Sequence, residues 1–364
     1  MNRIPVCSFF SGAGFLDLGF YLAEYDIIFT NEISDGISSV YESGMSTCLN
    51  KKVKITSNAS IESISAEQIK SFVKQQQKDK FWGIIGGPPC PDFSVGGKNK
   101  GYKGENGKLT QIFVDLICEA QPNFFLIENV KGLIKTKKHR DFFHKIIKQL
   151  EKSGYSIDFK LLNSLELGIP QDRERIFIVG IKNEIYFDIF KREYENNRNW
   201  FYWPYYDKYH NAKNKYNWPS TNKFGDDVLE PLDIPRELMV GTYILEKNID
   251  KNLPNANEFF KPKSSKFMDI EEGDDKRKSF KRLHRWRYSP TVAYGNNEVH
   301  LHPTLPRRLS VREALRLQTV PESYIIKEDI PLTIKFKAIG NGVPVKMANL
   351  LASNLNCFLK QYLY

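Results

Sequence analysis

The stretch VCSFFSGAGFLDLGF, residues 6–20, joins an apolar run to an amphipathic run through two closely spaced glycines. The apolar run predicts a buried strand, and the spacing of apolar residues after Gly14 predicts a helix. Gly12 and Gly14 permit a tight turn in which backbone N–H groups can approach a ligand closely. Glu32 follows the second predicted strand about twenty residues on, a spacing that suits a carboxylate bound to ribose hydroxyls. The stretch therefore predicts a strand–turn–helix unit that binds a nucleotide-like cofactor.

The same alternation of strands and helices continues through the first 185 residues. Strands are predicted at 5–10, 26–33, 81–87, 123–130, 155–164 and 175–182, and helices at 15–25, 36–44, 66–77, 109–121 and 140–154. This order predicts an α/β fold, with a mostly parallel sheet covered by helices on both faces. The last two strands lie close together in sequence, which favours an antiparallel hairpin at one edge of the sheet.

The chain changes character after residue 185. Ten aromatic residues lie between Tyr194 and Trp218, and seven Lys or Arg residues lie within 276–287. Regular structure returns near the C-terminus, where Ser310 and Glu313 predict a capping box at the start of a helix. The predicted division is 1–185 for the α/β domain, 186–306 for an irregular domain, and 307–364 for a helical part that packs back on the first domain.

The composition favours a polyanionic partner and a reducing compartment. The 364-residue chain has a net charge of +10, and nucleic acid is the first candidate partner of a basic protein. The basic run 276–287 suits phosphates, while the aromatic run 194–218 suits either stacking on bases or the core of a small domain. The five cysteines are scattered, which predicts neither a disulfide framework nor a metal site. Without a long apolar run or a signal-peptide pattern, we expect a cytoplasmic protein without a membrane span.

Cys90 stands in the segment GGPPCPDFS, residues 86–94, just beyond the end of a predicted strand. Open α/β sheets bind their ligands at this edge. The prolines on both sides of Cys90 fix the backbone, and the glycines let the chain turn into the loop. A rigid loop that presents one thiol at a ligand crevice is typical of a positioned nucleophile. Cys7 and Cys118, which lie among apolar residues, are interpreted as structural cysteines.

Two further segments place charged side chains at the same edge. FFLIENV puts Glu128 and Asn129 at the end of a strand, where a carboxylate needs a partner. QDRERIF puts Arg173 and Arg175 before another strand, and residues two apart in an extended segment face the same way. Both guanidinium groups are therefore expected to point into the site, with a surface salt-bridge cluster around Glu174 as the alternative.

Six segments together resemble the DNA (cytosine-5) methyltransferases of bacterial restriction–modification systems. They are FSGAG, GGPPCPDFS, ENV, QDRERIF, RRLSVREALRLQTVPESY and AIGNGVPV, in the order and spacing typical of that family. The resemblance covers about residues 4–185 and 288–357. It implies the Rossmann-like fold of S-adenosylmethionine-dependent methyltransferases, in which 1–185 is the catalytic and cofactor-binding domain and 186–306 is a small target recognition domain.

The resemblance implies roles for four catalytic residues. Cys90 would attack C6 of a cytosine flipped out of duplex DNA, and Glu128 would protonate or hydrogen-bond ring N3. Arg175 would hold the O2 atom of the base, and Arg173 would support the loop that carries the nucleophile. The methyl group of S-adenosylmethionine would be transferred to C5, giving 5-methylcytosine.

The resemblance also implies residues that bind the cofactor and the DNA. The cofactor set is Phe10, Gly12, Ala13, Gly14, Glu32 at the ribose, Pro89, Leu109 and, near the amino acid end, Asn341. The DNA set is Ser94 at a phosphate, Asn129, Arg285, and Thr291 as a support for the recognition domain. Phe15 stands where the family has a second glycine, and only Asn58 or Ser60 is available where an aspartate usually contacts the adenine.

Other interpretations stay open on the sequence alone. A transfer RNA methyltransferase shares the fold, but its CFT tripeptide is absent from the middle region. A catalytically inactive DNA-binding protein has no need of Cys90, Glu128 and both arginines, and an NAD oxidoreductase gives the thiol loop no role. The expected partners are double-stranded DNA and a restriction endonuclease of the same system, and the chain is expected to be a monomer.

Overall fold

The computed structural model describes residues 3–76, 78, 80–89, 105–195, 198–245, 252–262, 265–277, 279–292, 294 and 298–363. Cys90 and Ser94, two of the predicted site residues, lie outside the described residues. No helix in the described part of the chain is long and apolar enough to cross a membrane. The same residues contain no group of three or more His, Cys, Asp or Glu side chains that could hold a metal ion.

A six-stranded sheet forms the centre of the fold. Its strands are β1 (Ile4–Phe9), β2 (Tyr25–Asn31), β3 (Gly83–Gly86), β4 (Phe124–Val130), β5 (Tyr155–Asn163) and β7 (Glu174–Lys182), and two short strands, β6 (Gln171–Asp172) and β8 (Ser289–Pro290), pair separately. The order in the sheet is β2-β1-β3-β4-β7-β5. β1 to β4 pair in parallel, whereas β7 is antiparallel to both β4 and β5. The predicted parallel sheet with an antiparallel edge is therefore confirmed.

Helices cover both faces of this sheet. The helices are α1 (Phe15–Leu22), α2 (Asp35–Leu49), α3 (Ala66–Gln75), α4 (Glu105–Ala120), α5 (Gly132–Lys135), α6 (Lys137–Lys152), α7 (Asn183–Phe190), α8 (Ala212–Lys215), α9 (Val240–Ile244), α10 (Val311–Leu317), α11 (Leu332–Asn341) and α12 (Val345–Leu363). One face packs against α3, α4 and α6, and the other against α1, α7 and α12. Alternate strand residues supply the two cores, as Phe125 and Ile127 do on one side and Phe124 and Leu126 on the other.

Several helices differ from the sequence-based assignment. The short helices α5, α7, α8 and α9 have no predicted counterpart, and the two larger differences concern α2 and α11. α2 continues to Leu49, beyond the predicted end at Gly44. Gly44 does not end the helix; it makes room for a side chain that packs against α2. A Cβ at Gly44 would lie 1.9 Å from Cζ of Tyr324, so the glycine lets that ring pack against α2. α11 has no predicted counterpart, since its apolar and polar residues alternate as in a strand. It forms a helix because Phe336 and Ile339 are buried in a cluster with α2 and α10.

The C-terminal elements pack closely on the rest of the chain. Gly19 lets α12 approach α1, because a Cβ at Gly19 would lie 2.4 Å from Cβ of Ala348. The predicted capping box at the start of α10 is present. Oγ of Ser310 accepts a hydrogen bond from N of Glu313 at 3.2 Å, and Oε2 of Glu313 accepts one from N of Ser310 at 2.7 Å.

The aromatic run 194–218 contributes to two different clusters. Trp200 and Phe201 are buried between the sheet and α12, so the core of the α/β domain continues past residue 185. Tyr216 and Trp218 pack in a small separate cluster beside α8. Part of the run is therefore core of the first domain, and the division at residue 185 stays a prediction.

Candidate active site

The turn between β1 and α1 has left-handed backbone conformations at three positions. The angle φ is +54° at Phe10, +58° at Gly12 and +76° at Gly14. A Cβ on Gly14 would also lie 2.8 Å from the ring of Tyr41, so a side chain there is excluded by conformation and by space. The two glycines thus form the tight turn at the carboxyl end of β1 that the sequence indicates.

Glu32 lies at this turn with its carboxylate held by two backbone donors. Oε2 accepts a hydrogen bond from N of Gly12 at 3.1 Å, and Oε1 accepts one from N of Ser34 at 2.9 Å. The residue is 9% exposed, so the carboxylate keeps a narrow opening to solvent. Nearby, the ring of Phe10 packs edge-on against Phe113, with centroids 5.6 Å apart. A fixed carboxylate beside a glycine turn suits the binding of ribose hydroxyls.

A second carboxyl group, Asp17, lies beneath the turn and is not identified by the sequence analysis. It is fully buried and accepts hydrogen bonds from Oγ of Ser8 at 2.6 Å and from the hydroxyl of Tyr41 at 2.8 Å. Burial raises the pKa of Asp17 to about 6, although both hydrogen bonds act to lower it. The sequence does offer one sign of this buried carboxyl group, which is an acidic residue among the apolar residues of the predicted helix α1. Through these two hydrogen bonds Asp17 connects the first turn of α1 to β1 and α2.

Phe15, the departure from the family pattern, is accommodated by two neighbours. A Cβ on Gly342 would lie 2.3 Å from Cδ2 of Phe15, so the glycine leaves room for the ring. The ring also packs edge-on against Tyr324, with centroids 5.6 Å apart. The same contacts bring the end of α11 to the β1–α1 turn.

Glu128, at the end of β4, forms an ion pair with Arg175 at the start of β7. Oε1 of Glu128 lies 2.8 Å from Nε of Arg175, and the two side chains are only 11% and 14% exposed. Burial lowers the pKa of Arg175, and the charge of Glu128 opposes that shift. The loop that leads to Cys90 passes this pair, because a Cβ at Gly87 would lie 2.8 Å from Oε2 of Glu128.

Arg173 does not point to the same place as Arg175. It is fully buried, and its guanidinium donates to the carbonyl oxygens of Val292 at 3.0 Å, Gly340 at 3.2 Å and Asn341 at 3.3 Å. Burial is the main cause that lowers the pKa of Arg173, followed by the charge of Arg175. A guanidinium still stays charged, because its ordinary pKa is so high. The sequence predicts that both guanidinium groups point into one site. Only the guanidinium of Arg175 contacts Glu128, whereas that of Arg173 is directed at backbone carbonyl groups.

Glu174, between the two arginines, has a different partner. Its carboxylate lies 2.7 Å from Nζ of Lys131. The surface cluster of Glu174 with the arginines, which the sequence leaves as an alternative, is therefore not formed by its side chain.

Replacing Arg173 with alanine is expected to lower the free energy of unfolding by about 3 kcal/mol, since the change opens a cavity and leaves three buried carbonyls without a charged donor. Urea denaturation followed by tryptophan fluorescence measures this loss. Arg192→Ala is the control, because Arg192 is exposed and its removal should change stability by less than ~0.5 kcal/mol. Equal unfolding midpoints for Arg173→Ala and the unaltered protein would contradict this role.

Two buried glutamines join the same segments and are also missed by the sequence analysis. Nε2 of Gln318 donates to the carbonyl oxygens of Ile339 at 2.7 Å and Gly342 at 3.1 Å, and its Oε1 accepts from Nε2 of Gln171 at 3.1 Å. Oε1 of Gln171 in turn accepts from N of Val292 at 3.2 Å. With Arg173, these glutamines form a polar network that fixes the backbone on both sides of Asn341. A glutamine within the apolar run LRLQTV is the signal that the sequence offers.

The other residues of the cofactor set lie around the turn with different exposure. Ala13 is buried, and its carbonyl oxygen accepts from the hydroxyl of Tyr324 at 2.6 Å. Leu109 is half-buried beside the core under the sheet, whereas Pro89 and Asn341 are exposed. Asn58, one of two residues considered for the adenine, is engaged elsewhere: its Nδ2 donates to O of Glu32 and to Oγ of Ser38, both at 2.8 Å, while Ser60 caps a short turn at 61–63.

Three residues of the predicted DNA set are described. Asn129 is buried, and its Nδ2 has no hydrogen-bond partner among the described residues. Thr291 donates from Oγ1 to O of Asp172 at 2.6 Å, which ties the middle region to the segment that carries Arg173. Arg285 is held by the fully buried Glu272, with Nη2 2.7 Å from Oε2.

Comparisons with known proteins agree with this arrangement. The family model of the C-5 cytosine-specific DNA methylases matches residues 4–357. The chain is 46% identical to the type II methyltransferase M.NmeDI of Neisseria meningitidis serogroup C, over 99% of this chain and 85% of that protein. It is 31% identical to the type II methyltransferase M.FnuDI of Fusobacterium nucleatum, over 97% of this chain and 94% of that one.

A similar fold occurs among solved structures. A DNA modification methyltransferase encoded within an Escherichia coli prophage matches with a TM-score of 0.61 and 24% identity, over 98% of this chain and 100% of that chain. At this identity the likeness shows the fold alone, which is the Rossmann-like methyltransferase fold expected from the sequence.

Proposed function

The chain belongs to the C-5 cytosine-specific DNA methylase family and is a DNA (cytosine-5) methyltransferase, and on that premise we propose which residues carry its reaction. Cys90 is the nucleophile, Glu128 shares a proton with ring N3, and Arg175 holds O2 of the base. The supporting observation is the position of Glu128, which contacts Arg175 and lies against Gly87, three residues before Cys90.

The chemistry follows from the need to activate C5 of cytosine, a poor nucleophile in an aromatic ring. Addition of the Cys90 thiolate to C6 forms a C–S bond and breaks the aromaticity of the ring. C5 gains enamine character when N3 carries a proton, which Glu128 supplies or shares. S-adenosylmethionine, when bound, supplies the electrophilic methyl group that C5 accepts. Loss of the C5 proton to a base then expels Cys90 as the thiolate and restores the ring.

S-adenosylmethionine is inferred to bind at the β1–α1 turn. The residues present fit this group: Gly12 and Gly14 leave the backbone free of side chains, and the carboxylate of Glu32 is held in place for ribose hydroxyls. Asn341 is exposed at the same edge, where Arg173 and the end of α11 bring it beside the turn. Pro89 and Leu109 complete the proposed set.

Replacing Glu32 with glutamine is expected to weaken cofactor binding about tenfold or more. A glutamine NH₂ group must face one of the two backbone donors, so one hydrogen bond is lost and the group turns away from the ribose. Isothermal titration calorimetry with S-adenosylhomocysteine measures the dissociation constant. Asp35→Asn provides the control, because Asp35 is an exposed acidic residue nearby and its change should leave the affinity intact. An unchanged affinity in Glu32→Gln would remove the ribose role.

The DNA is inferred to lie between the carboxyl edge of the sheet and the recognition domain, 186–306. A cytosine within a duplex hides C6, so the base must be flipped out at a cost of a few kcal/mol, which phosphate contacts offset. Ser94 is assigned to a phosphate on this DNA surface, and Asn129, which is buried at the end of β4, lies beneath it. Thr291 and Arg285 support the recognition domain. The two named relatives are both type II methyltransferases, which supports the proposal that this chain protects DNA from a partner restriction endonuclease. We further propose that it acts as a monomer in the cytoplasm.

The proposal is tested by following the methyl group and the covalent bond in one set of reactions. Purified protein is incubated with unmethylated DNA and tritium-labelled S-adenosylmethionine, and the product is sequenced for 5-methylcytosine. A duplex with 5-fluorocytosine at the target site thus identified is then added. Fluorine cannot leave C5 as a proton does, so the enzyme should stay bound through Cys90 in a complex that survives denaturation.

Peptide mapping then decides between the five cysteines. An adduct on the peptide that contains Cys90 is the expected result. An adduct on another cysteine, or label on DNA without any trapped complex, would contradict the assignment of the nucleophile. If the cofactor binds but no DNA is labelled, the DNA reaction itself is wrong and RNA substrates are to be tested.

A further inference from the structure

The surface that follows β4 carries a concentration of positive charge. Eight Lys or Arg and two acidic residues lie between Lys131 and Lys152, a net charge of +6 in a chain whose total is +10. Lys135, at the end of α5, and Lys137 and Arg140, in the first turn of α6, are exposed. Whereas Lys131 is paired with Glu174, these three have no ion pair within the described part of the chain. They are called the α6 patch below.

The basic run in the recognition domain is arranged differently. In the segment 276–287, Arg277, Arg285 and Arg287 each face an acidic side chain. Arg282 is fully buried and donates to backbone carbonyls, among them that of Ile270 at 2.8 Å. Four of these seven basic residues are therefore already paired with acidic side chains or bonded to carbonyls of the protein, whereas the charge of the α6 patch faces solvent.

The α6 patch also opposes the electrostatics of its own helix. The start of α6 is capped by Thr136, and its first turn contains no acidic residue. A helix start is the positive end of the helix dipole, so Lys137 and Arg140 are unfavourable there for folding. Departures from local preference of this kind are expected at functional sites, where a ligand compensates. A negatively charged ligand is the one that fits this patch.

Contacts within the protein hold the α6 patch close to the candidate active site. His139 is buried, and its Nδ1 lies within hydrogen-bond distance of the carbonyl oxygen of Gly132, at 2.9 Å, which ties α5 to α6. Both helices follow directly from the end of β4, where Glu128 lies. The pair of Lys131 with Glu174, the neighbour of Arg175, links this surface to the site at 2.7 Å.

We propose that the α6 patch binds backbone phosphates of duplex DNA beside the flipped base. The inference rests on the proposed function, which brings DNA to this edge of the sheet. Lys and Arg contacts to phosphates position a duplex and carry no sequence information. The patch therefore contributes equally to DNA with and without the target sequence, and sequence selection stays with the recognition domain.

Two triple variants that each remove three positive charges test the proposal. The near variant, Lys135→Gln/Lys137→Gln/Arg140→Gln, changes the α6 patch, and the far variant, Lys145→Gln/Lys148→Gln/Lys152→Gln, changes the second half of α6. Fluorescence anisotropy with a fluorescein-labelled duplex that lacks the target gives the binding constant over a series of salt concentrations. The near variant should bind more weakly, and the slope of log K against log salt should shrink by about two to three. The far variant should keep the slope of the unaltered protein.

The stability of the near variant gives an independent measure. Because Lys137 and Arg140 oppose the dipole of α6 and Lys135 is exposed, removal of the three charges should leave the urea midpoint nearly unchanged or higher. Weaker DNA binding would then not reflect damage to the fold. An unchanged salt slope in the near variant overturns the proposal, as does an equal loss in both variants, which would indicate diffuse attraction. Transfer of the tritium label to DNA by the unaltered protein is measured in parallel. If the unaltered protein does not methylate DNA, the proposed function is wrong; if it does but the near variant keeps its salt slope, only the proposal for the α6 patch is wrong.

Discussion

Glu128→Gln is expected to lower kcat for methyl transfer by at least about 100-fold, the usual scale for the loss of a general acid. Glutamine keeps an oxygen that can accept from Nε of Arg175, which lies 2.8 Å from Oε1 in the present pair. The pocket should therefore keep its shape. A neutral amide cannot give up a proton to N3, so the negative charge that builds on the ring after thiolate addition is left without compensation. Steady-state transfer of tritium from S-adenosylmethionine to DNA measures kcat.

Glu174→Gln is the matched control for this variant. Glu174 is a carboxylate in the same stretch of the sheet edge, but it is 36% exposed in its side chain and pairs with Lys131. Its replacement should leave kcat within about twofold, since an exposed ion pair has a small energy. If Glu128→Gln retained a kcat as high as that of Glu174→Gln, proton sharing by Glu128 would be excluded. A rise in KM with constant kcat would instead assign Glu128 to base binding alone.

The free energy of unfolding is expected to fall by roughly 4–5 kcal/mol between pH 7 and pH 5. Burial lowers the pKa of His284 to about 4, that of His300 to about 3 and that of His302 to about 4. A histidine whose pKa is depressed by folding stabilises the protein above its unfolded pKa, near 6.5, and this stabilisation is lost as the pH falls towards the folded value. Each of the three should lose about 2 kcal/mol by pH 5.

Other charged groups modify this balance. Glu272 and Glu313 lie near His284 and His302 and act to raise the pKa of those rings, but burial dominates. Asp17 has the opposite effect on stability. Its pKa is raised to about 6 in the folded protein, so the folded state binds a proton before the unfolded state does as the pH falls. This stabilises the folded state by about 1 kcal/mol between pH 7 and pH 5. The net change is therefore still a loss of stability.

Urea titrations at several pH values measure the slope. His300→Gln should remove about a third of the histidine contribution, whatever its effect on stability at pH 7. His210→Gln is the control, because that ring is exposed and its loss should leave the slope in place. A slope in His300→Gln as steep as in the control would show that burial of these rings is not what limits acid stability.

The framework of the fold was accessible from the sequence because it depends on local patterns. Apolar runs bounded by glycines predict the strands, and the glycine turn with Glu32 places the cofactor end of the sheet. Gly87, which precedes Cys90 in the chain, and Glu128 lie at one edge because the ends of parallel strands meet there. The elements that the sequence missed depend on tertiary contacts instead, as in α11, where burial of Phe336 overrides a strand-like alternation.

The different partners of Arg173 and Arg175 are the feature of the site that the sequence predicts least well. Their spacing indicates a common direction, yet Arg175 contacts Glu128 while Arg173 donates to carbonyls far away in the chain. Two of the three acceptor residues of Arg173, Gly340 and Asn341, end α11 and the third, Val292, follows β8, and no local pattern specifies where these segments lie. The same limit applies to Arg285, since only the fold reveals that Glu272 is buried beside it.

The network of Arg173, Gln171 and Gln318 has a consequence for how target specificity can change in this chain. Val292 is bonded to two members of the network, and Thr291 is bonded to Asp172. A recognition module exchanged with that of a relative therefore has to end before Ser289, where β8 pairs with β6. A junction placed there keeps the hydrogen bonds of Thr291 and Val292 within this chain, so the backbone that Arg173 and Gln171 hold does not have to adapt to the exchanged segment.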